Sequence, residues 1–586
     1  MSITERIQNH LELDSNSVWR LPGQEKFNYS EGEYQEDYLR TVFRKARDLS
    51  STSYELERYI RDWPSEYHLS RKRTQLLREF SFNRGDKVLE VGCGCGAITR
   101  FLGETFDDVI AIEGSLARAS LARLRTKDLP GVAIVNSPFQ KIQFKTKFDL
   151  IFCVGVFEYS KSFIDGADPF DFVLRHFADI LNPGGAVVIA IENQFGLKYF
   201  DASAEDHTDI LFDGIEGYPR RDRERTFGYN ELKELLGRYF ENIQFHYPYP
   251  DYKLPTCILS EEAFASMKLG ELVGNFTPRD YAKELASRFD QRLVLMELDR
   301  NHELPFFSNS FLVVAGKSNE SRVRFNQLGV LFSDRSRSDL QTIARFHRDE
   351  KSALVVSKGL QQGPANDAGD AVLRFQEYRE PWVDTISLQT QLLRKVKLEQ
   401  IEFDVLFAPC RIWLQKMRSL AVAKDGELFV DGRYVDCVWA NSFIVGDDCV
   451  LIDQEWVWRR PIRLNVLVVR SIYYFLHAIR TTPHLNAQFV NRGTHSLILR
   501  IALSIGAEVA GRDIREFREL ETEFGLLLSG QNSPWRGSLG IRLMLVDRRW
   551  FVWWEKARAA WHWVVVRARF RVYRVKRWLG VGASPA

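Results

Sequence analysis

The chain has 586 residues, of which 45% are hydrophobic and 27% charged, and its net charge is +2. It is too long for one core, so two to four domains are expected, and the composition argues against wholesale disorder. Seven cysteines, an odd number with no CxxC pair, favour a reducing compartment over a disulfide framework. The N-terminus has no apolar signal core and no run reaches ~18 apolar residues, so the cytoplasm is the default expectation.

Charge is unevenly spread. Residues 548–578 hold ten Lys/Arg and one acid, +9 against +2 overall, which leaves the rest of the chain at −7. An acidic body argues against broad nucleic-acid binding by the domains outside that segment.

Residues 1–65 read as a polar, helical extension that packs on or covers the neighbouring core. Val88-Leu89-Glu90-Val91 then reads as a buried strand entering the turn Gly92-Cys93-Gly94-Cys95-Gly96, with an apolar-patterned helix behind it. Alternate glycines let a ligand lie against bare main chain, and the helix start offers free N–H groups. Asp108–Glu113 is a second apolar strand, ending in an acid 17 residues after Gly96. An acid there can accept both hydroxyls of an adenosine ribose. Further strands are expected at VAIV before Asn136-Ser137-Pro138-Phe139, at Phe148–Val154 before Glu158, and at AVVIAIEN after Leu181-Asn182-Pro183-Gly184-Gly185.

Gly92, Gly94 and Ala97 meet the dinucleotide pattern G-x-G-x-x-G/A only loosely, whereas Glu90, Gly92, Gly94 and Gly96 spell E-x-G-x-G-x-G. That spelling, with the strand order and LNPGG, resembles the class I S-adenosylmethionine-dependent methyltransferases over roughly residues 65–260. The resemblance implies an α/β, Rossmann-like seven-stranded sheet in a domain spanning 66–318, with S-adenosylmethionine as cofactor. It places Gly92, Gly94 and Gly96 against the methionine moiety, Glu90 on its amino group, Glu113 on the ribose, and Ser137, Pro138 and Phe139 beside adenine. Phe139 reads equally as a stacking ring or as ordinary core.

On the acceptor side, Ile191–Phe200 is polar at a strand end, and Asp206-His207 comes shortly after it. A hydroxyl acceptor needs a base, for which His207 and Glu158 are the candidates; either also reads as an ordinary satisfied polar residue. A carboxylate or phosphate acceptor would need no base.

Residues 260–300 read as helices, Phe306–Ala315 as a late strand, and GKSNESRV as a linker that puts a domain boundary near 318. In 319–530, strand-like runs give way to helices. Asp436, Asn441 five residues on, and Asp453 after a further apolar run resemble the catalytic core of protein kinases and aminoglycoside phosphotransferases. The resemblance implies an α+β kinase-like domain with Asp436 as base and Asn441 and Asp453 holding Mg²⁺ under ATP. The match is partial: Tyr434 replaces the motif's His, Gln454-Glu455 replaces Phe-Gly, and no glycine-rich loop lies upstream. An active kinase, a non-catalytic kinase-like fold and coincidence all stay open. Lys358, a second candidate for phosphate contact, reads better as a strand-end lysine on solvent.

The remaining segment, 531–586, is a basic aromatic tail. Its 548–578 stretch reads as a helix with a tryptophan stripe, suited either to the membrane interface or to packing on protein. The methyltransferase plus kinase-like architecture is similar to bacterial enzymes that methylate or cap lipopolysaccharide O-antigen chains. The expected function is therefore methyl transfer to a glycan or glycan-lipid intermediate of cell-surface polysaccharide synthesis, in the cytoplasm or at the inner face of the membrane. The rivals are a methyltransferase for a small metabolite, natural product or RNA, and a scaffold with a vestigial cofactor site.

Overall fold

The computed structural model describes residues 3–23, 32–164, 166–220, 223–276, 288–319, 322–333, 338–361, 373–480, 482, 485–490 and 492–529. The basic aromatic tail and most of the 360–371 loop lie outside the described residues. No helix among the described residues is long and apolar enough to cross a membrane.

Five apolar runs form parallel strands: β1 (Lys87–Val91), β2 (Asp108–Glu113), β3 (Val132–Asn136), β4 (Phe148–Val154) and β5 (Leu181–Glu192). They pair in the order β3-β2-β1-β4-β5. Every residue of β4 is buried, as are all but the first of β2, as expected where helices cover both faces of a parallel sheet. Two later strands complete the unit. β6 (Asn242–Tyr249) is followed by the short strand β7 (Cys257–Ser260), and β8 (Ser310–Gly316) inserts antiparallel between β5 and β6. The seven strands β3-β2-β1-β4-β5-β8-β6 make the expected Rossmann-like sheet, with one strand reversed. The strand order switches direction at β1, so the crevice at its carboxyl end, beside β4, is where a ligand is expected.

The sheet continues on both sides. At one edge, Glu12–Leu13 and Trp19–Arg20 form a hairpin whose second strand runs parallel to β3, with Trp19 opposite Val135. The segment expected to be purely helical therefore also supplies strand. Its turn is closed by Asp14, whose carboxylate accepts from the amides of Asn16 and Val18 at 2.9 Å. Helices stand at 33–45, 54–57, 63–69 and 72–78.

At the other edge β7 pairs with β9 (Gly329–Phe332), Cys257 opposite Leu331. β10 (Thr342–Arg348), β11 (Leu354–Leu360) and β12 (Tyr378–Pro381) come next, all antiparallel, in a sheet of fourteen strands. Strand pairing thus crosses the boundary read near residue 318. The polar GKSNESRV run carries a linker's composition, but the open edge of β7 is satisfied by strands beyond it.

Helices α1 (Ala97–Thr105), α2 (Leu116–Arg125) and α3 (Pro169–Ile180) flank the parallel strands. Helices stand at 261–266, 270–274 and 291–300, within the stretch expected to be helical. After β12 the chain becomes mainly helical, with α4 (Ala408–Ser419), α5 (Leu464–Ala478), α6 (Thr494–Ile505) and α7 (Gly511–Ser529). α5 is apolar almost all round and lies in a separate core with Trp413, Trp439 and Trp456. The indole of Trp413 donates to the Cys437 carbonyl at 3.0 Å.

Candidate active site

The turn after β1 is built by its glycines. Gly92, Gly94 and Gly96 all have positive φ, at 75°, 54° and 82°. At Gly96 a Cβ would stand 2.8 Å from the Ala122 Cα of α2, so the turn can sit on that helix only without a side chain. At Gly92 a Cβ would meet the Val156 side chain at 2.4 Å. The amides of Gly92 and Cys93 both donate to the Ile112 carbonyl, which ties the turn to the end of β2.

Above this turn lies a cavity of about 320 Å³. Glu90, Glu113, Ser137, Phe139, Glu158 and His207 all line it. The candidate residues taken from strands tens of residues apart therefore meet in one place. Glu113 accepts from the Gly94 amide at 2.8 Å and from the Ser115 amide at 2.9 Å, which fixes its carboxylate at the strand tip. Glu90 is buried, and burial pushes its pKa up to about 7. Its Oε2 has no hydrogen-bond partner. Phe139 does both things the sequence left open: it packs edge-on against His176 and at 5.4 Å from Phe177 in the core, and it also borders the cavity.

The other end of the cavity is a knot of charge. His207, on the loop after β5, has its side chain 4% exposed and places Nε2 3.7 Å from Glu158 Oε1 and 3.8 Å from Glu192 Oε2. Its Nδ1 donates to Glu205 Oε1 at 2.9 Å. Lys253 lies 2.7 Å from Glu192 Oε1 and 2.8 Å from Asp206, which Lys198 also meets at 2.7 Å. Burial alone would lower the His207 pKa, but Glu192, Glu158 and Glu205 outweigh it and raise it well above the usual value. Burial raises Glu158 above the ordinary carboxylate range, against the pull of His207. The wall beside the knot is aromatic, with Trp63, Tyr67, Tyr159, Phe163 and Tyr252.

The sequence named His207 and Glu158 without relating them; Glu192, Glu205, Lys198 and Lys253 went unnoticed as partners. Glu192 carried a signal, since it ends a strand as Glu113 does and as Glu90 nearly does. Lys253 and Tyr252 carried none, because only the reversed strand β8 brings the loop after β6 over the crevice.

In the second half, Lys358 is not on solvent as expected. Its side chain is 9% exposed and it pairs with Asp453, and with Glu380 and Glu455 at 3.4 Å each. β12 carries Glu380 beside β11, which is why the lysine turns inward. Asn441 Nδ2 donates to the Asp436 carbonyl at 2.9 Å, and Asp436 Oδ1 pairs with the buried Arg470 at 2.9 Å. Asp453 has a left-handed backbone, φ 65°.

A methyltransferase-domain family model matches residues 89–187, the stretch from β1 into β5. An uncharacterized methyltransferase of Oceanobacillus iheyensis is 28% identical over 175 residues, covering 29% of this chain and 75% of that protein. Among solved structures, a methyltransferase bound to the Haloferax volcanii Trm112 activator is 17% identical, with a TM-score of 0.28, over 42% of this chain and 89% of that one. The N-methyltransferase NodS of Bradyrhizobium japonicum, solved with S-adenosyl-L-homocysteine, is 21% identical, with a TM-score of 0.19, over 27% of this chain and 74% of that one. The chain carries a methyltransferase domain over residues 89–187, on a sheet of the class I S-adenosylmethionine-dependent kind. The residues fit such a cofactor: Glu90 has a buried oxygen without a hydrogen-bond partner, Glu113 stands at the tip of β2 on the cavity wall, and the glycine turn between them admits no Cβ without a clash.

Proposed function

We propose that the protein methylates a hydroxyl of a glycan or glycan-lipid intermediate in cell-surface polysaccharide synthesis. The observation that carries this reading is the His207–Glu158–Glu192 knot in the same cavity as the glycine cradle. A hydroxyl must lose its proton as it becomes an ether, and the groups that can take a proton or hold the oxygen's charge stand there. The aromatic wall suits the apolar faces of a sugar ring. Bound to the cradle, S-adenosylmethionine supplies an electrophilic methyl on a sulfonium sulfur. Glu90 and Glu113 then hold the donor's two ends, and the knot holds the acceptor in line, which lowers the barrier by pre-paying orientation. Incubation with labelled donor and cell-envelope glycan fractions tests the reading: label in an O-methyl sugar supports it, and label confined to small amines or RNA sinks it.

The second half is proposed as a kinase-like module. The Asn441–Asp436 bond and the inward Lys358 beside Asp453 support it, since a nucleotide phosphate site needs a lysine and two metal-holding groups within reach. Binding of ATP·Mg²⁺ that disappears in Asp453→Ala would support this part, and no binding by the unmodified chain would remove it.

A further inference from the structure

We propose that Glu158, Glu192 and His207 form a divalent-cation site at the acceptor end of the cavity, where the cation takes the acceptor oxygen as a further ligand. Their donor atoms all lie within 4.8 Å of one another. Nε2 of His207 stands 3.7 and 3.8 Å from the two carboxylates, so a cation between the three donors lies within about 2.4 Å of each, close to ligand distance.

Two further observations point to a ligand. Glu158 Oε2 and Glu192 Oε2 are buried without hydrogen-bond partners, although both side chains are only 1% exposed. A buried carboxylate oxygen left bare is costly, and a cation at this place removes the cost. Finally, Glu205 accepts from His207 Nδ1 at 2.9 Å and is itself held by the amides of His207 and Thr208 at 2.8 Å. This is the outer-shell carboxylate that fixes a ligating histidine with its other nitrogen turned to the metal.

Lys253 does not take the cation's place. It occupies Glu192 Oε1 and Asp206, which leaves Glu192 Oε2 turned to His207. Two carboxylates with one imidazole suit an ion of the Mn²⁺ type. On such an ion a hydroxyl ionises more readily, its proton passing to water. The oxygen's electron pair then forms the C–O bond as the C–S bond breaks with its pair on sulfur. Glu158 and His207 act as ligands in this scheme and not as the base. That use rests on the hydroxyl-acceptor reading; the ion site does not.

The test is a Mn²⁺ titration of the full chain carrying Asp453→Asn, read by loss of the free-ion EPR signal, so that the second half contributes nothing through that carboxylate. One Mn²⁺ per chain is expected, with affinity reduced about tenfold or more by Glu192→Gln and by His207→Asn. S-adenosylhomocysteine binding is measured on each variant as the check on folding, with Glu158→Gln in reserve should either fail it. No Mn²⁺ binding, or binding unchanged in the variants that keep the nucleoside site, overturns the proposal. Methyl transfer to a hydroxyl at full rate after chelation also overturns it, while the acceptor reading survives. Bound Mn²⁺ without transfer to any hydroxyl sinks the acceptor reading and leaves the ion site.

Discussion

Two clusters of carboxylates, one in each half of the chain, differ in how their charge is answered. In the second half Asp453, Glu380 and Glu455 share Lys358, and Asp436 has Arg470. In the first half Glu90, Glu158 and Glu192 each keep an oxygen with no hydrogen-bond partner beside a cavity of about 320 Å³. The residue types are the same. What separates a cluster waiting for a ligand from one that is internally satisfied is the unanswered atom, since burial without a partner must be offset by something. A phosphate or metal in the second half would first have to displace Lys358 from Asp453.

The sharpest way to break the contrast is to unbalance the satisfied cluster. Lys358→Ala leaves three carboxylates without their shared cation and is expected to cost about 3 kcal/mol, the low end for a broken buried pair because Asp453 is part exposed. Chemical denaturation checks it. Burial already raises the Glu380 pKa, so this loss should grow as pH rises and ease in acid, where the carboxyl takes up its proton. Next is Gly96→Ala. Its φ of 82° and the Ala122 backbone behind it predict a loss of about 1–3 kcal/mol in thermal unfolding, together with weaker cofactor binding.

Smaller effects sharpen the open cluster. Glu113→Gln should weaken S-adenosylhomocysteine about tenfold by calorimetry, the loss of roughly one charge-assisted hydrogen bond. Smallest is the pH profile. With its pKa near 7, Glu90 is neutral in mild acid, so cofactor affinity should rise as pH climbs to about 7 and level off above. Glu90→Gln should flatten that profile; a slope retained in the variant would remove Glu90 from the amino group. The sign for folding is opposite. A carboxyl whose pKa is raised in the folded chain contributes stability at low pH that is lost as pH rises through about 7.

The parallel sheet was legible because its strands are continuous apolar runs that end at glycines or acids, as β1 into Gly92 and β2 into Glu113 do. That Glu90, Gly92, Gly94 and Glu113 share one cavity wall was legible for the same reason: the motif is local. The charged knot around His207 was half legible. His207 and Glu158 are 49 positions apart, and nothing in periodicity says that Tyr252 and Lys253 reach the same point. Near 318 the polar run marks a loop, and polarity alone says nothing of whether a sheet continues beyond it, as this one does. Lys358 misled because a strand-end lysine turns inward only when a neighbouring strand brings a carboxylate, and Glu380 arrives 22 residues later.

The pairing of Cys257–Ser260 with Gly329–Phe332 has a practical consequence for dissecting the protein. A fragment stopped at the apparent linker would bare a row of main-chain donors and acceptors on a hydrophobic strand, an invitation to self-association. The two halves are better separated by point changes within the intact polypeptide than by truncation.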